Sequence, residues 1–156
     1  MKLKEKRGFT LIELLVVIAI IGLLAAIVLA AVGSARNKGI DASVKGQLNN
    51  ARAQAELYAS NNNNSYTGVC TALQSANGLA AIVNNAASST GATVGAANAA
   101  VANGVTAGCD AASATWAIEA PLKASVSATP VMWCVDSSGQ AEQTATLLGA
   151  NATNCP

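Results

Sequence analysis

The sequence predicts an α+β chain in which a long N-terminal helix, membrane-spanning in its first half and amphipathic in its second, packs on a small antiparallel C-terminal sheet. Three observations predict it. Residues 14–32 contain thirteen Leu, Ile or Val, no charge and no Pro, which is about the span that a hydrocarbon core requires of a helix. Beyond them Ile40, Val44 and Leu48 recur at four-residue spacing, and Ala51, Ala55 and Tyr58 continue the stripe, the pattern of one helical face. Towards the C-terminus the apolar residues alternate with others instead, which is the period of a strand.

The apolar run opens on an acid. A basic leader, Lys2-Leu3-Lys4-Glu5-Lys6-Arg7-Gly8, leads through Phe9-Thr10-Leu11-Ile12 to Glu13. Each branched apolar residue contributes roughly −0.3 to −0.6 kcal/mol to insertion, against about +2.5 to +3.5 kcal/mol for a central acid. The run can therefore carry Glu13 into the membrane, but the carboxylate remains expensive there unless it is neutralised or paired. The basic leader places the N-terminus in the cytoplasm and everything after the apolar run outside, with Arg36 and Lys38 on the far flank opposing this mildly. A basic region before an apolar stretch also suits a cleaved secretory signal, with small residues near Val28-Leu29-Ala30 for the cut. The length of the run and the acid that opens it argue against that alternative; an unrelated single-pass anchor is the other.

Gly8-Phe9-Thr10-Leu11-Ile12-Glu13, followed by Leu14-Leu15-Val16-Val17-Ile18-Ala19-Ile20-Ile21-Gly22, resembles the N-terminus of type IV prepilins and pseudopilins. The resemblance covers about residues 6–32; beyond them only the layout is similar, a helix followed by a small, variable, disulfide-bonded head. It implies cleavage after Gly8 by a membrane-embedded prepilin peptidase and N-methylation of the new Phe9 amine. It further implies assembly into a homo-oligomeric helical filament with the apolar helices at its centre. Ala30 stands where many members have Pro, so a Pro-induced kink is not expected there. The chemistry of the motif is consistent with these roles. Gly8 has no Cβ to obstruct a narrow protease site, and Glu13, four residues after the new amine, finds its natural partner in the Phe9 amine of a neighbouring copy. Desolvation offsets much of the gain from such a pair, so its main value is to set register.

The expected organisation is a leader peptide at 1–8, a transmembrane or filament-core helix at 9–35, its amphipathic continuation at 36–60, a variable connector at 61–114, and the sheet with a disulfide-bonded C-terminus at 115–156. A helix from about Phe9 to Ala59 would be on the order of 75 Å long at ~1.5 Å per residue. Asp41 with Lys45 and Arg52 with Glu56 are opposite charges at i,i+4. The apolar stripe is expected to pack on the domain's own sheet rather than mainly between subunits. Asn61, Asn62, Asn63 and Asn64 end the helix, since Asn accepts turn conformations. A short helix is expected between about Val69 and Ala86, around Leu73, Leu79, Ala80, Ile82 and Val83. From Ser88 to Gly108 the small side chains read as a surface excursion. Strands are expected where Trp116, Ile118, Ala120 and Leu122 alternate with Ala117 and Glu119, at 131–135 before the turn Asp136-Ser137-Ser138-Gly139, and, more weakly, at 142–148. Trp116 and Trp133 fall within strand patterns and are expected in the core.

Cys70, Cys109, Cys134 and Cys155 all lie on the expected outer side, and the sequence has no His to share a metal site. Two disulfides are expected from this. Of the three connectivities, Cys70 with Cys109 would pin the connector and Cys134 with Cys155 would tie the terminus to the sheet, each contributing roughly 2 to 4 kcal/mol. The absence of His removes Ser-His and Cys-His nucleophile pairs, and the outer carboxylates form no motif, so neither enzymatic activity nor a cofactor or metal is expected. Asn63-Asn64-Ser65 and Asn151-Ala152-Thr153 match a glycosylation acceptor pattern, in a chain rich enough in these residues for chance matches. Without residues 1–8, five basic and seven acidic side chains remain, a net of −2, which leaves no electrostatic footprint for nucleic acid.

The expected function is that of a structural filament subunit, trimmed after Gly8 and working with prepilin peptidase and a pilus or secretion assembly machinery. It would reside in the inner membrane before assembly, and then in an extracellular pilus or a periplasm-spanning filament. A pseudopilin of a type II secretion or DNA-uptake system is the alternative within that class. A stand-alone membrane-anchored surface or binding protein is the alternative outside it. Adhesion, motility, DNA uptake and secretion are all compatible with these residues.

Overall fold

A computed structural model of the chain describes residues 8–71, 78–101, 104–124 and 131–156. The chain divides between Arg36 and Asn37 into two units. The elements in order are α1 (Leu11–Ser60), α2 (Leu79–Thr90), β1 (Thr93–Val94), β2 (Thr106–Ala111), β3 (Trp116–Pro121), β4 (Met132–Asp136) and β5 (Ala141–Thr144). The fold is α+β, a long N-terminal helix with a small, mostly antiparallel sheet. α1 has 50 residues; its first part forms the first unit and its remainder belongs to the second. The helix continues through Ala30 without a break.

In the second unit the strands lie in sequence order, β1 parallel to β2 and every later pair antiparallel. Because side chains alternate along a strand, the sheet has two distinct faces. One carries Ala107, Cys109, Trp116, Ile118, Ala120 and Val135, which pack with Val44, Leu48, Ala51 and Ala55 of α1 and Leu79, Val83 and Ala86 of α2. The helical stripe seen in the sequence is thus the face that covers this domain's own sheet, and Leu48 is fully buried, worth about 1.5 to 3 kcal/mol for a side chain of that type. The opposite face carries Ala117, Met132 and Cys134, which pack with Val101, Leu148 and Cys155.

Four charged side chains in the second half of α1 find partners beyond the helix rather than each other. Asp41 accepts from the Lys123 amide at 2.5 Å and the Ala124 amide at 3.0 Å. Lys45 Nζ sits 4.6 Å from the centroid of the Trp133 ring. Arg52 donates to the carbonyls of Asp136 and Gln140, and Glu56 accepts from the Tyr66 hydroxyl at 2.6 Å. The i,i+4 pairs expected from the sequence are therefore replaced by tertiary partners, which orient these charges against backbone and ring groups that solvent would otherwise satisfy. At the helix end, the Asn61 and Asn62 side-chain amides donate to the Leu57 and Tyr58 carbonyls at 2.9 and 2.8 Å, and Asn63 and Asn64 adopt positive φ.

The structure corrects three sequence expectations in this unit. The short helix begins at Leu79, not near Val69, and runs on to Thr90. Val69 and Cys70 lie in turns after Gly68, whose φ is +86°, and Leu73 lies outside the described residues. Ser89 and Thr90 extend the helix by returning their hydroxyls to the Asn85 and Ala87 carbonyls at 2.9 and 3.0 Å, and Gly91 in the left-handed region caps it, as glycine does at no steric cost. The surface excursion expected to Gly108, within the connector 61–114, instead contains β1 and most of β2, and β2 is buried at its four central residues. Its small side chains are what let it lie close to its neighbours, so composition that looked unstructured is packed. The last strand stops at Thr144 rather than Leu148, because the Thr144 hydroxyl accepts from the Thr146 amide at 2.9 Å and turns the chain. Leu148 then folds onto the second face and covers β3, all of whose residues are buried.

Both disulfides lie in this unit, Cys70 with Cys109 and Cys134 with Cys155. Trp116 is 1% exposed. Gly108 shows how tightly the second face is built: a Cβ there would overlap Val101 Cγ2. Gly108→Ala is expected to destabilise the protein by about 1 to 3 kcal/mol, the usual cost of overpacking, measured by thermal denaturation of the full chain in detergent.

Candidate functional site

The candidate site is the head of α1, within the first unit. A helix begins with amide groups that have no intrahelical acceptor, and here Thr10 and Glu13 supply them reciprocally. The Thr10 hydroxyl accepts from the Glu13 amide at 3.3 Å, while Glu13 Oε2 accepts from the Thr10 amide at 2.8 Å and from the Thr10 hydroxyl at 2.7 Å. This is a capping box, formed by a Thr followed three residues later by a Glu. The negative carboxylate also lies at the positive end of the helix dipole. Both contacts use Oε2, and Oε1 has no hydrogen bond among the described residues.

Gly8 and Phe9 precede the helix with no regular structure, and both are exposed, Phe9 by 81%. A Cβ added at Gly8 would meet nothing within 4 Å, and the same holds at Gly22. Packing within one copy therefore does not require glycine at either position. From Leu11 to Val32 the helix presents a surface of exposed Leu, Ile and Val, each about half exposed or more. It is long and apolar enough to cross a membrane, and none of its most apolar window is buried by the rest of the chain. An exposed apolar surface of this size marks contact with lipid or with other protein.

Of the residues singled out from the sequence, Gly8, Phe9 and Glu13 fall together within one turn of the start of α1. The four cysteines are in the second unit and serve its packing. The leader residues 1–7 lie outside the described residues. Thr10 was not among those singled out, although the Thr-x-x-Glu spacing ahead of an apolar run carries the signal. No group of three or more metal-ligating side chains occurs among the described residues.

The family model described as the prokaryotic N-terminal methylation motif matches residues 3–29. The chain is also 45% identical, over 73 residues, to the type IV wide pilus major component PilA4 of Thermus thermophilus. That match covers 47% of this chain and 55% of the relative, so the chain spans about half the length of the curated relative it matches. No solved structure matches it.

The capping box gives a local test. Thr10→Ala removes the acceptor of the Glu13 amide and one of the two donors to Oε2, at a cost of about 1 kcal/mol to the first turn. Hydrogen exchange of the Glu13 amide in micelles should accelerate about fivefold relative to the parent, with the amides from Leu23 onward unchanged.

Proposed function

We propose that this chain, whose N-terminal segment is that of the type IV pilin family, is a structural subunit of a type IV pilus-like filament. The observation that carries the proposal is Glu13 at the head of an exposed apolar helix, immediately after a Gly-Phe junction that packing within one copy does not explain. On this reading, Gly8 is selected by a peptidase that must bind the chain in extended form, and cleavage after it creates an amine on Phe9. The same machinery methylates that amine. The precursor is held in the inner membrane by residues 9–35, with the second unit outside, and the assembly machinery passes it from lipid to filament.

Transfer into the filament exchanges one apolar environment for another, so the hydrophobic effect gives little direction to it. Charge does. Glu13 arrives with Oε2 held by Thr10 and with Oε1 available, and the Phe9 amine of a neighbouring copy is a cation of matching position on an identical surface. Pairing in this way repeats from copy to copy, and a heterologous contact that repeats without closing generates a helical filament. The capping box keeps the carboxylate aimed along the start of the helix until the amine arrives. The similarity to a pilus major component favours a pilus over a short secretion filament. The role is structural and uses no catalytic residue or cofactor.

Mass determination of the mature N-terminus should find Phe9 carrying one added methyl group. A chain beginning at Ala31 would show a secretory signal instead, and an intact leader would show a stand-alone anchor. In filament counts, Glu13→Gln and Glu13→Ala should each reduce surface filaments by more than about tenfold, since removing one partner of a buried pair costs about 3 to 5 kcal/mol per interface. Undiminished assembly by both variants would contradict the pairing.

A further inference from the structure

The sheet face turned away from α1 buries carboxyl groups that nothing in the filament reading uses. Gly108 is the register partner of Glu119, and Asp110 that of Ala117, so Asp110 and Glu119 are diagonal neighbours on one face of β2 and β3. Diagonal pairs are about 7 to 8 Å apart at the backbone, within reach of long side chains. Asp110 is 1% exposed and Glu119 fully buried. Both oxygens of Asp110 and Oε2 of Glu119 lack a hydrogen-bond partner. Buried ionised carboxylates without partners are costly, and each deprotonated group would repel the other.

The chain that covers them is the C-terminal strap, residues 145–156. It is fastened at Leu148, whose amide donates to Glu119 Oε1 at 2.9 Å and whose carbonyl accepts from the Val101 amide at 3.0 Å. It is fastened again at Cys155, by the disulfide to Cys134 and by an amide that donates to Asp136 Oδ2 at 2.9 Å. The charged groups around the pair are few. Asp136 on β4 and the exposed Glu142 on β5 share the face; residues 145–156 and 95–101 contain no Asp, Glu, Lys, Arg, His or Tyr, and Cys155 is in a disulfide. The cations Lys45, Arg52 and Lys123 are engaged elsewhere, with the Trp133 ring, with the Asp136 and Gln140 carbonyls and with the Thr90 carbonyl. No cation therefore faces the pair from the described elements.

We propose that Asp110 and Glu119 form a proton-operated latch for the C-terminal strap, closed while the pair holds its protons and loosened when it loses them. A protonated carboxyl is neutral and far less costly to bury than an ionised one, so the face tolerates being covered. With both groups ionised, the like charges under an apolar cover favour admission of water. The strap then lifts around Leu148 as far as the Cys134 to Cys155 bond permits, exposing Met132 and Ala117.

The ionisation behaviour agrees with this geometry. Burial pushes Glu119 up to about 7, the Leu148 amide offsetting this in part and the Asp110 charge adding to it. Burial likewise pushes Asp110 up to about 6, against a smaller opposing effect of the nearby Ala152 amide, which does not complete a hydrogen bond. Groups with pKa values raised in the folded state favour folding fully below their unfolded values, near about 4, and lose that contribution as pH rises through the folded ones. The window therefore runs from about pH 4 to about 7. Asp136 behaves oppositely. Burial would raise it, but amides of Cys155, Gln140 and Ser138 and the Ser138 hydroxyl outweigh burial and hold it below the usual range, so it stays ionised throughout this window.

Hydrogen exchange on the mature full chain in micelles, with disulfides intact, tests the latch. The Leu148 protection factor should fall by about tenfold or more between about pH 5 and about pH 8, while that of Ile118 holds. Asp110→Asn and Glu119→Gln, the latter keeping an acceptor for the Leu148 amide, should each flatten the profile. A flat parent profile would overturn the proposal, as would an undiminished fall in both variants. A fall that calcium reverses and chelator restores would also overturn it, in favour of a cation held by the pair. If Asp110→Asn does not fold, the Glu119→Gln profile decides. None of these outcomes depends on filament assembly.

Discussion

Glu13 stands at the head of a helix whose next nineteen residues carry no charge, and the need to satisfy its carboxylate governs the first unit. In water the group would be hydrated, and in hydrocarbon it must find partners within protein. The chain supplies the first of them itself: Thr10 gives Oε2 an amide and a hydroxyl while taking the Glu13 amide in return. That exchange lowers the cost of carrying an acid in an apolar segment and leaves Oε1 for a positive group on another molecule. In the proposed filament, that group is the amine that processing creates on Phe9. An arrangement satisfied only halfway by one copy is an arrangement that selects for a second.

The second unit solves a different problem. Its side chains are small, and a head built from Ala, Gly, Ser, Thr and Asn has little apolar area to bury. It compensates by close approach and by cross-links. β2 fits between its neighbours because Ala107, Gly108 and Cys109 occupy so little space. The two disulfides join β2 to the turn after α1 and the C-terminus to β4. The charges of α1 are spent on the sheet, with Asp41 and Arg52 satisfying backbone groups at strand ends. The same economy leaves carboxyl groups beneath the strap that a larger core would have replaced with apolar residues.

The sequence made the fold class legible because its two strongest signals are periodic. Thirteen branched apolar residues without a charge, then a stripe at helical spacing, can be one long helix regardless of the chain beyond it, and the alternation around Trp116 and the short apolar run around Trp133 before a turn are those of strands. β2 was not legible for the converse reason. Thr106-Ala107-Gly108-Cys109-Asp110-Ala111 has neither β-branched density nor an exposed alternate face, since both of its faces are covered. In the sequence Glu119 is the polar member of an alternating strand, and the cover formed by residues 145–156 is a long-range fact that no local pattern reports. At the candidate site the motif from Gly8 to Glu13 is visible, whereas Thr10 is a common residue whose role shows only in its contacts with Glu13. The i,i+4 charge pairs failed because local spacing cannot weigh a neighbour brought by the fold, such as the Trp133 ring beside Lys45.

The central claim is that the carboxylate of one copy meets the amine of another. It is tested most directly in filaments assembled from a mixture of two populations, one carrying nitrogen-15 at Phe9 and the other carbon-13 at the Glu13 carboxyl, by solid-state dipolar recoupling. The account predicts a coupling between the two labels that corresponds to contact of about 4 Å or less between nitrogen and oxygen. Well-formed filaments in which the labels show no such coupling would contradict it.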